Sequence, residues 1–120
     1  MLRLEDLEVY NSSMTLSDKI WQKVIQWDFF SKDTVGKQLV RAADSVSANI
    51  SEGYGRFSYK ENKQFCYYSR GSITETKTFL YKAKNRQLIS EEKFNEYIFE
   101  LERIHKMLNA YIKSIGKSGE

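Results

Sequence analysis

Four cations, Lys63, Arg70, Lys77 and Lys84, recur every seven residues, with Tyr67, Thr74 and Tyr81 interleaved between them. Seven residues are close to two turns of an α-helix. On a helix these side chains therefore form one row, about 31 Å long at a rise of ~1.5 Å per residue. Such a row suits a polyanion, because Lys and Arg meet phosphates and aromatic faces stack on unpaired bases. A plainer reading also fits: a solvated helix face needs charge to keep the protein soluble. The local balance brings the first nearly level with the second and leaves both open. Residues 57–86 hold seven Lys and Arg against two Asp and Glu, whereas residues 1–30 are net −2, residues 31–56 net +1 and residues 87–120 net −1. The candidate nucleic-acid-binding residues are therefore Lys63, Arg70, Lys77, Lys84, Tyr67 and Tyr81.

Catalytic chemistry finds little support. Cys66 and His105 are the one thiol and the one imidazole of the chain, and a cysteine nucleophile needs its base within hydrogen-bond reach. Antiparallel helices turning near residue 88 set Cys66 level with residue 110, about 7 Å along the axis from His105. Glu102-x-x-His105 matches half of a di-iron bundle motif, but the full motif takes two such pairs. Gly53-Tyr54-Gly55 is too short for a phosphate loop and follows a helix where such a loop follows a strand. The chain reads as no enzyme, and neither a metal nor a cofactor is expected.

Holding the row in place requires long helices, and the composition favours them. The 120 residues contain no proline and only six glycines, with 41% hydrophobic and 29% charged side chains. Few breaks and enough apolar surface for one core follow from that. A single cysteine gives no internal disulfide and no sign of an oxidising compartment. The opening residues lack a basic stretch followed by an apolar run, and no segment approaches the ~18 apolar residues of a membrane span, so a cytoplasmic location is expected.

Periodicity predicts an all-α fold, an antiparallel up-down-up-down four-helix bundle over residues 1–115, with helices over about 5–27, 35–53, 58–86 and 90–115 and a flexible tail at 116–120. The first helix is expected to bury Leu7, Tyr10, Met14, Trp21 and Val24, with Ile20 and Trp27 widening the stripe. Phe29 and Phe30 are expected to plug the end of the core. Gly53 and Gly55 are expected to end the second helix through the left-handed conformation. Ser58 and Glu61 have the spacing of a capping box opening the third. Burial of Phe65, Tyr68, Ser72, Thr76, Phe79 and Ala83 would point the cation row directly away from the core. The fourth helix, with Ser90 as its cap, has the clearest stripe: Phe94, Ile98, Leu101, Leu108, Ile112 and Ile115, reinforced by Tyr97, Ile104 and Tyr111.

The second helix is unusual. Leu39, Ala43, Val46 and Ile50 make an ordinary apolar seam, yet Ala42, Ser45, Ser47, Ala48 and Ser51 keep the rest of its surface small. It is expected to be touched on two sides, by its own bundle on the Leu39 edge and by another chain on the Ser45/Ala48 edge. Its polar residues Arg41, Asn49, Glu52 and Arg56, with Gly71 and Glu75 on the third helix, are assigned structural or interface roles. Glu52 and Arg56 have the spacing of a helical ion pair. Arg41 is placed to meet an acid on another chain, Glu75 to partner a cation of the second helix, and Gly71 with Ser72 to pack closely near Ala42 and Ala43.

Arg41-Ala42-Ala43-x-Ser45-Val46-x-x-Asn49-Ile50-x-Glu52-Gly53-x-Gly55-Arg56, followed by Gly71-Ser72-Ile73-x-Glu75, resembles the signature of the bacterial 23S rRNA intervening-sequence proteins. That family is also labelled S23 ribosomal protein and is similar to the accessory variability protein of diversity-generating retroelements. The resemblance runs from Asp6 to about Asn109. It implies a four-helix bundle and a ring-like homopentamer and, for the retroelement relatives, a basic surface used with a reverse transcriptase and its nucleic acid. The family name refers to genes lying inside rRNA insertions. Two functions are thus expected in turn: a noncatalytic oligomer binding RNA or DNA through the third helix, or an oligomeric scaffold that recruits a protein partner such as a reverse transcriptase without touching nucleic acid.

Overall fold

Short polar side chains mark where the helices begin. Asp28 accepts a hydrogen bond from the backbone N–H of Ser31 at 3.2 Å, Ser58 from that of Glu61 at 3.1 Å, and Ser90 from that of Lys93 at 3.1 Å. Each satisfies an amide that the first turn of a helix leaves without a partner. Hydrogen bonding from the Ser31 side chain, and then from its backbone N–H, holds the Asp28 carboxyl below its ordinary range.

The computed structural model describes residues 3–117. After a 3₁₀ turn, Leu4–Asp6, four long helices follow: α1 (Glu8–Val24), α2 (Lys37–Tyr54), α3 (Tyr59–Asn85) and α4 (Glu91–Ser114). A helical turn, Phe29–Ser31, and a π-helical turn, Lys32–Gly36, lead into α2 without a break. No strand occurs among the described residues. α1 packs on α2, α2 on α3, α3 on α4 and α4 back on α1. Short connections between such neighbours give an antiparallel up-down-up-down bundle, 49 Å long and about 20 Å across. Residues 118–120 of the expected tail lie outside the described residues.

The seams of α2 and α4 form as their spacing predicts. Leu39, Ala43, Val46 and Ile50 are buried, as are Phe94, Tyr97, Leu101, Ile104, Leu108, Ile112 and Ile115, while Ile98 and Tyr111 of the expected stripe are half-buried. Each large side chain so buried contributes about 1.5–3 kcal/mol. The inward faces of α1 and α3 differ from expectation. α1 buries Val9, Ser13, Leu16, Ser17, Ile20 and Val24, while Met14 and Trp21 are exposed and Tyr10 is half-buried. The two buried serines are tolerated because their hydroxyls donate within the helix, Ser13 to the Val9 carbonyl at 2.7 Å and Ser17 to that of Met14 at 2.9 Å. α3 buries Cys66, Ser69, Ile73, Thr76, Leu80 and Ala83, leaving Tyr68 exposed and Phe65, Ser72 and Phe79 half-buried. Again the polar members are satisfied, Ser69 by the Val46 carbonyl of α2 at 2.8 Å and Thr76 by that of Ser72 at 2.7 Å.

Two local expectations are corrected as well. Phe29 and Phe30 do not plug the core; both rings are largely exposed, and Trp27 with Val35 closes that end. Gly53 does not end α2 by a left-handed turn, since the positive φ angles of the described residues belong to Gln87 and Gly116. Its role is close approach. A Cβ on Gly53 would stand 2.7 Å from Asn62 Oδ1 and 2.8 Å from the Asn62 carbonyl oxygen, so only glycine lets α3 come so near.

Candidate nucleic-acid interface

On α3 the buried line passes through Cys66, Ile73 and Leu80, and Lys63, Arg70 and Lys77 each precede one of these by three residues. At about 100° per residue that sets the cations some 60° to the side of the buried line, not opposite it. The row therefore runs along the flank of α3 that faces α4, and its four cations are all half-buried. This replaces the outward direction expected from a buried Phe65 and Tyr68.

The antiparallel neighbour determines what each cation meets. The Arg70 Nη1 donates to Asn109 Oδ1 of α4 at 3.0 Å, and its guanidinium lies 5.1 Å from the centre of the Tyr67 ring. Lys77 Nζ is 3.7 Å from Glu102 Oε2, with both side chains about half exposed. Lys84 Nζ sits 4.5 Å from the Phe94 ring and 5.6 Å from the Tyr81 ring, and those two rings meet edge to face at 4.7 Å. Lys63 has no ion pair or hydrogen bond among the described residues. One cation in four is thus neutralised by a carboxylate, and the others keep their charge beside a neutral amide, an aromatic face or solvent. Sequence reasoning missed the α4 partners Glu102, Asn109 and Phe94. A register turning at residues 89–90 would have found them, since it sets 70 opposite 109 and 77 opposite 102.

The structural residues separate into three groups. Arg56 binds the α2–α3 turn together: Nη2 is 3.3 Å from Glu52, Nη1 is 4.0 Å from Glu61, and the guanidinium lies 4.7 Å from the Phe65 ring. Asn49 donates back to the Ser45 carbonyl of its own helix at 2.9 Å. Arg41, Gly71 and Glu75 are exposed, and neither Arg41 nor Glu75 makes an ion pair among the described residues. Glu75 therefore does not partner a cation of α2. Gly71 does not pack near Ala42 and Ala43, and a Cβ there would have nothing within 4 Å.

Cys66 is buried on α3 and its thiol donates to Asn62 Oδ1 at 3.8 Å, while His105 is half-buried on α4. Burial pushes the Cys66 thiol up to about 11. Among the described residues no three His, Cys, Asp or Glu side chains gather as metal ligands would, and no helix is long and apolar enough to cross a membrane.

Fold and surface together define a four-helix bundle whose distinguishing mark is a one-sided row of cations along the α3–α4 seam. The chain belongs to the 23S rRNA-intervening sequence protein family, whose sequence pattern matches residues 5–110. Its fold is similar to a solved structure from Bacteroides thetaiotaomicron, a protein of unknown function from the S23 ribosomal protein family. The two are 21% identical, with a TM-score of 0.79 over 88% of this chain and 99% of that one. No curated protein matches the chain. Nothing in the family or its solved relative indicates a catalytic class.

Proposed function

We propose that this protein is a noncatalytic, cytoplasmic homo-oligomer, five copies by its family resemblance, that binds RNA or DNA along the α3–α4 seam. The observation that carries the reading is the row itself: Lys63, Arg70 and Lys84 have no carboxylate partner, and Lys77 has one on an exposed, easily exchanged side chain. Tyr67 and Tyr81 are exposed beside the row and offer stacking faces. In a multimer the rows of several copies add into a larger positive surface.

The test is fluorescence anisotropy of a labelled single-stranded RNA or DNA with the full chain at rising salt. Four phosphate contacts per chain correspond to a slope of log affinity against log salt of about −3. Changing Lys63, Arg70, Lys77 and Lys84 to glutamate abolishes binding while leaving the circular dichroism spectrum unchanged. Absence of binding at low salt, or binding that survives those changes, overturns the reading. The half-burial of the four cations favours a second reading, in which the charge is structural and the oligomer recruits a protein partner such as a reverse transcriptase without direct nucleic-acid contact.

A further inference from the structure

On the side of the bundle away from the cation row, α1 and α2 leave an open groove of about 570 Å³. Trp21 of α1 and Ile25 just past its end form one wall and stand 50% and 44% exposed; Arg41, Asp44, Ser45 and Ala48 of α2 line the other. A half-exposed tryptophan beside an isoleucine is apolar surface that association would remove from water. Arg41, on the rim, is a cation with no ion-pair partner among the described residues.

The outward face of α3 carries a complementary ridge. Tyr68 is half exposed, Glu75 has no ion pair, and Gly71 between them faces open space in the middle of a 27-residue helix. Glycine in an exposed helix interior is less favourable than alanine, so the bundle alone gains nothing from it. A neighbour packing closely against α3 would gain, because the missing side chain lets its backbone approach.

We infer that the α1/α2 groove of one copy receives the Tyr68–Gly71–Glu75 ridge of a second copy, with Glu75 of the ridge paired to Arg41 of the groove. The spacing matches. Arg41, Ser45 and Ala48 are separated by four and three residues along α2, and Glu75, Gly71 and Tyr68 by four and three along α3 in the opposite direction. Two helices docked antiparallel therefore bring acid to base, glycine to serine, and tyrosine to alanine, all in one register. Groove and ridge are different surfaces of the same chain, so the contact is heterologous. Every copy then offers a free groove and a free ridge until a ring closes. The inference rests on the homo-oligomer reading above and specifies which surfaces make it.

The experiment is the mass of the full chain in solution by light scattering, with thermal melting followed by circular dichroism as the folding control. Arg41→Glu and Glu75→Arg each place like charges together and raise the concentration needed for assembly at least about tenfold, and the double variant, with the charges exchanged, restores it. Gly71→Gln also blocks assembly, while helix content and melting of the isolated chain stay intact because its side chain enters open space. A wild-type chain that stays monomeric overturns the oligomer reading and this interface with it. A wild-type multimer that none of the three single variants disturbs overturns this interface and leaves the oligomer standing. Single variants that dissociate without recovery in the double variant overturn the Arg41–Glu75 pairing.

Discussion

Lys77 Nζ lies 3.7 Å from Glu102 Oε2 across the α3–α4 seam, the one point at which a carboxylate of the described residues reaches the cation row. A pair this exposed contributes at most about 1 kcal/mol. Glu102→Gln is therefore expected to change stability by no more than that and to free the charge of Lys77. Its affinity for a labelled RNA or DNA should rise, most at low salt, where exposed charges are least screened. Anisotropy titrations at two salt concentrations check this, and an unchanged affinity would mean that Lys77 takes no part in binding.

Two glycines of neighbouring helices should respond to alanine with opposite signs. At Gly53 the added carbon would stand 2.7 Å from Asn62 Oδ1 and 2.8 Å from the Asn62 carbonyl oxygen, forcing α2 and α3 apart at a cost of about 1–3 kcal/mol. At Gly71 it would meet nothing within 4 Å, so helix propensity alone acts and the bundle gains roughly 0.5–1 kcal/mol. Urea unfolding of both variants, below the concentration at which the chain assembles, measures the difference.

Gln87 holds φ at 62°, in the left-handed region that a side chain disfavours. Gln87→Gly should relieve about 1 kcal/mol of that strain. For a domain of this size, calorimetry should register the gain as a rise of several degrees in Tm.

The Cys66 thiol should resist alkylation in the folded protein at neutral pH and react at once in denaturant, because burial raises it to about 11. The sign of its effect on stability follows. Below pH 9 the thiol is protonated in both states and contributes no pH dependence. Between pH 9 and 11 it ionises in the unfolded chain first, so stability falls as pH rises through that window. Cys66→Ala should flatten this part of the pH profile, measured by urea midpoints at successive pH values.

The fourth helix was legible apart from Ile98 and Tyr111, which are half-buried, because its inward positions are all large and apolar and no alternative stripe competes with them. The first was not. Its inward face includes Ser13 and Ser17, which read as solvent-facing until their hydroxyls are seen bonded to carbonyls of their own helix. With those serines discounted, Met14 and Trp21 supply a false stripe. The same fault rotated the expected face of α3, where Cys66, Ser69 and Thr76 are buried and Tyr68 is not. That rotation turned a row lying against α4 into one pointing at solvent. The cations Lys63, Arg70, Lys77 and Lys84 were found by spacing alone, but their partners were not.

By itself, then, the order of residues determined the number of long helices, the antiparallel path and the alignment of four cations, because each depends on spacing within one stretch of chain. Only the tertiary structure decided which flank of α3 carries that alignment, that Glu102 and Asn109 answer it, that Gly53 is a point of contact while Gly71 touches nothing, and that α1 and α2 leave a groove. Those outcomes depend on how far each helix turns about its own axis. That rotation is set by small buried polar side chains whose hydrogen bonds do not show in hydropathy.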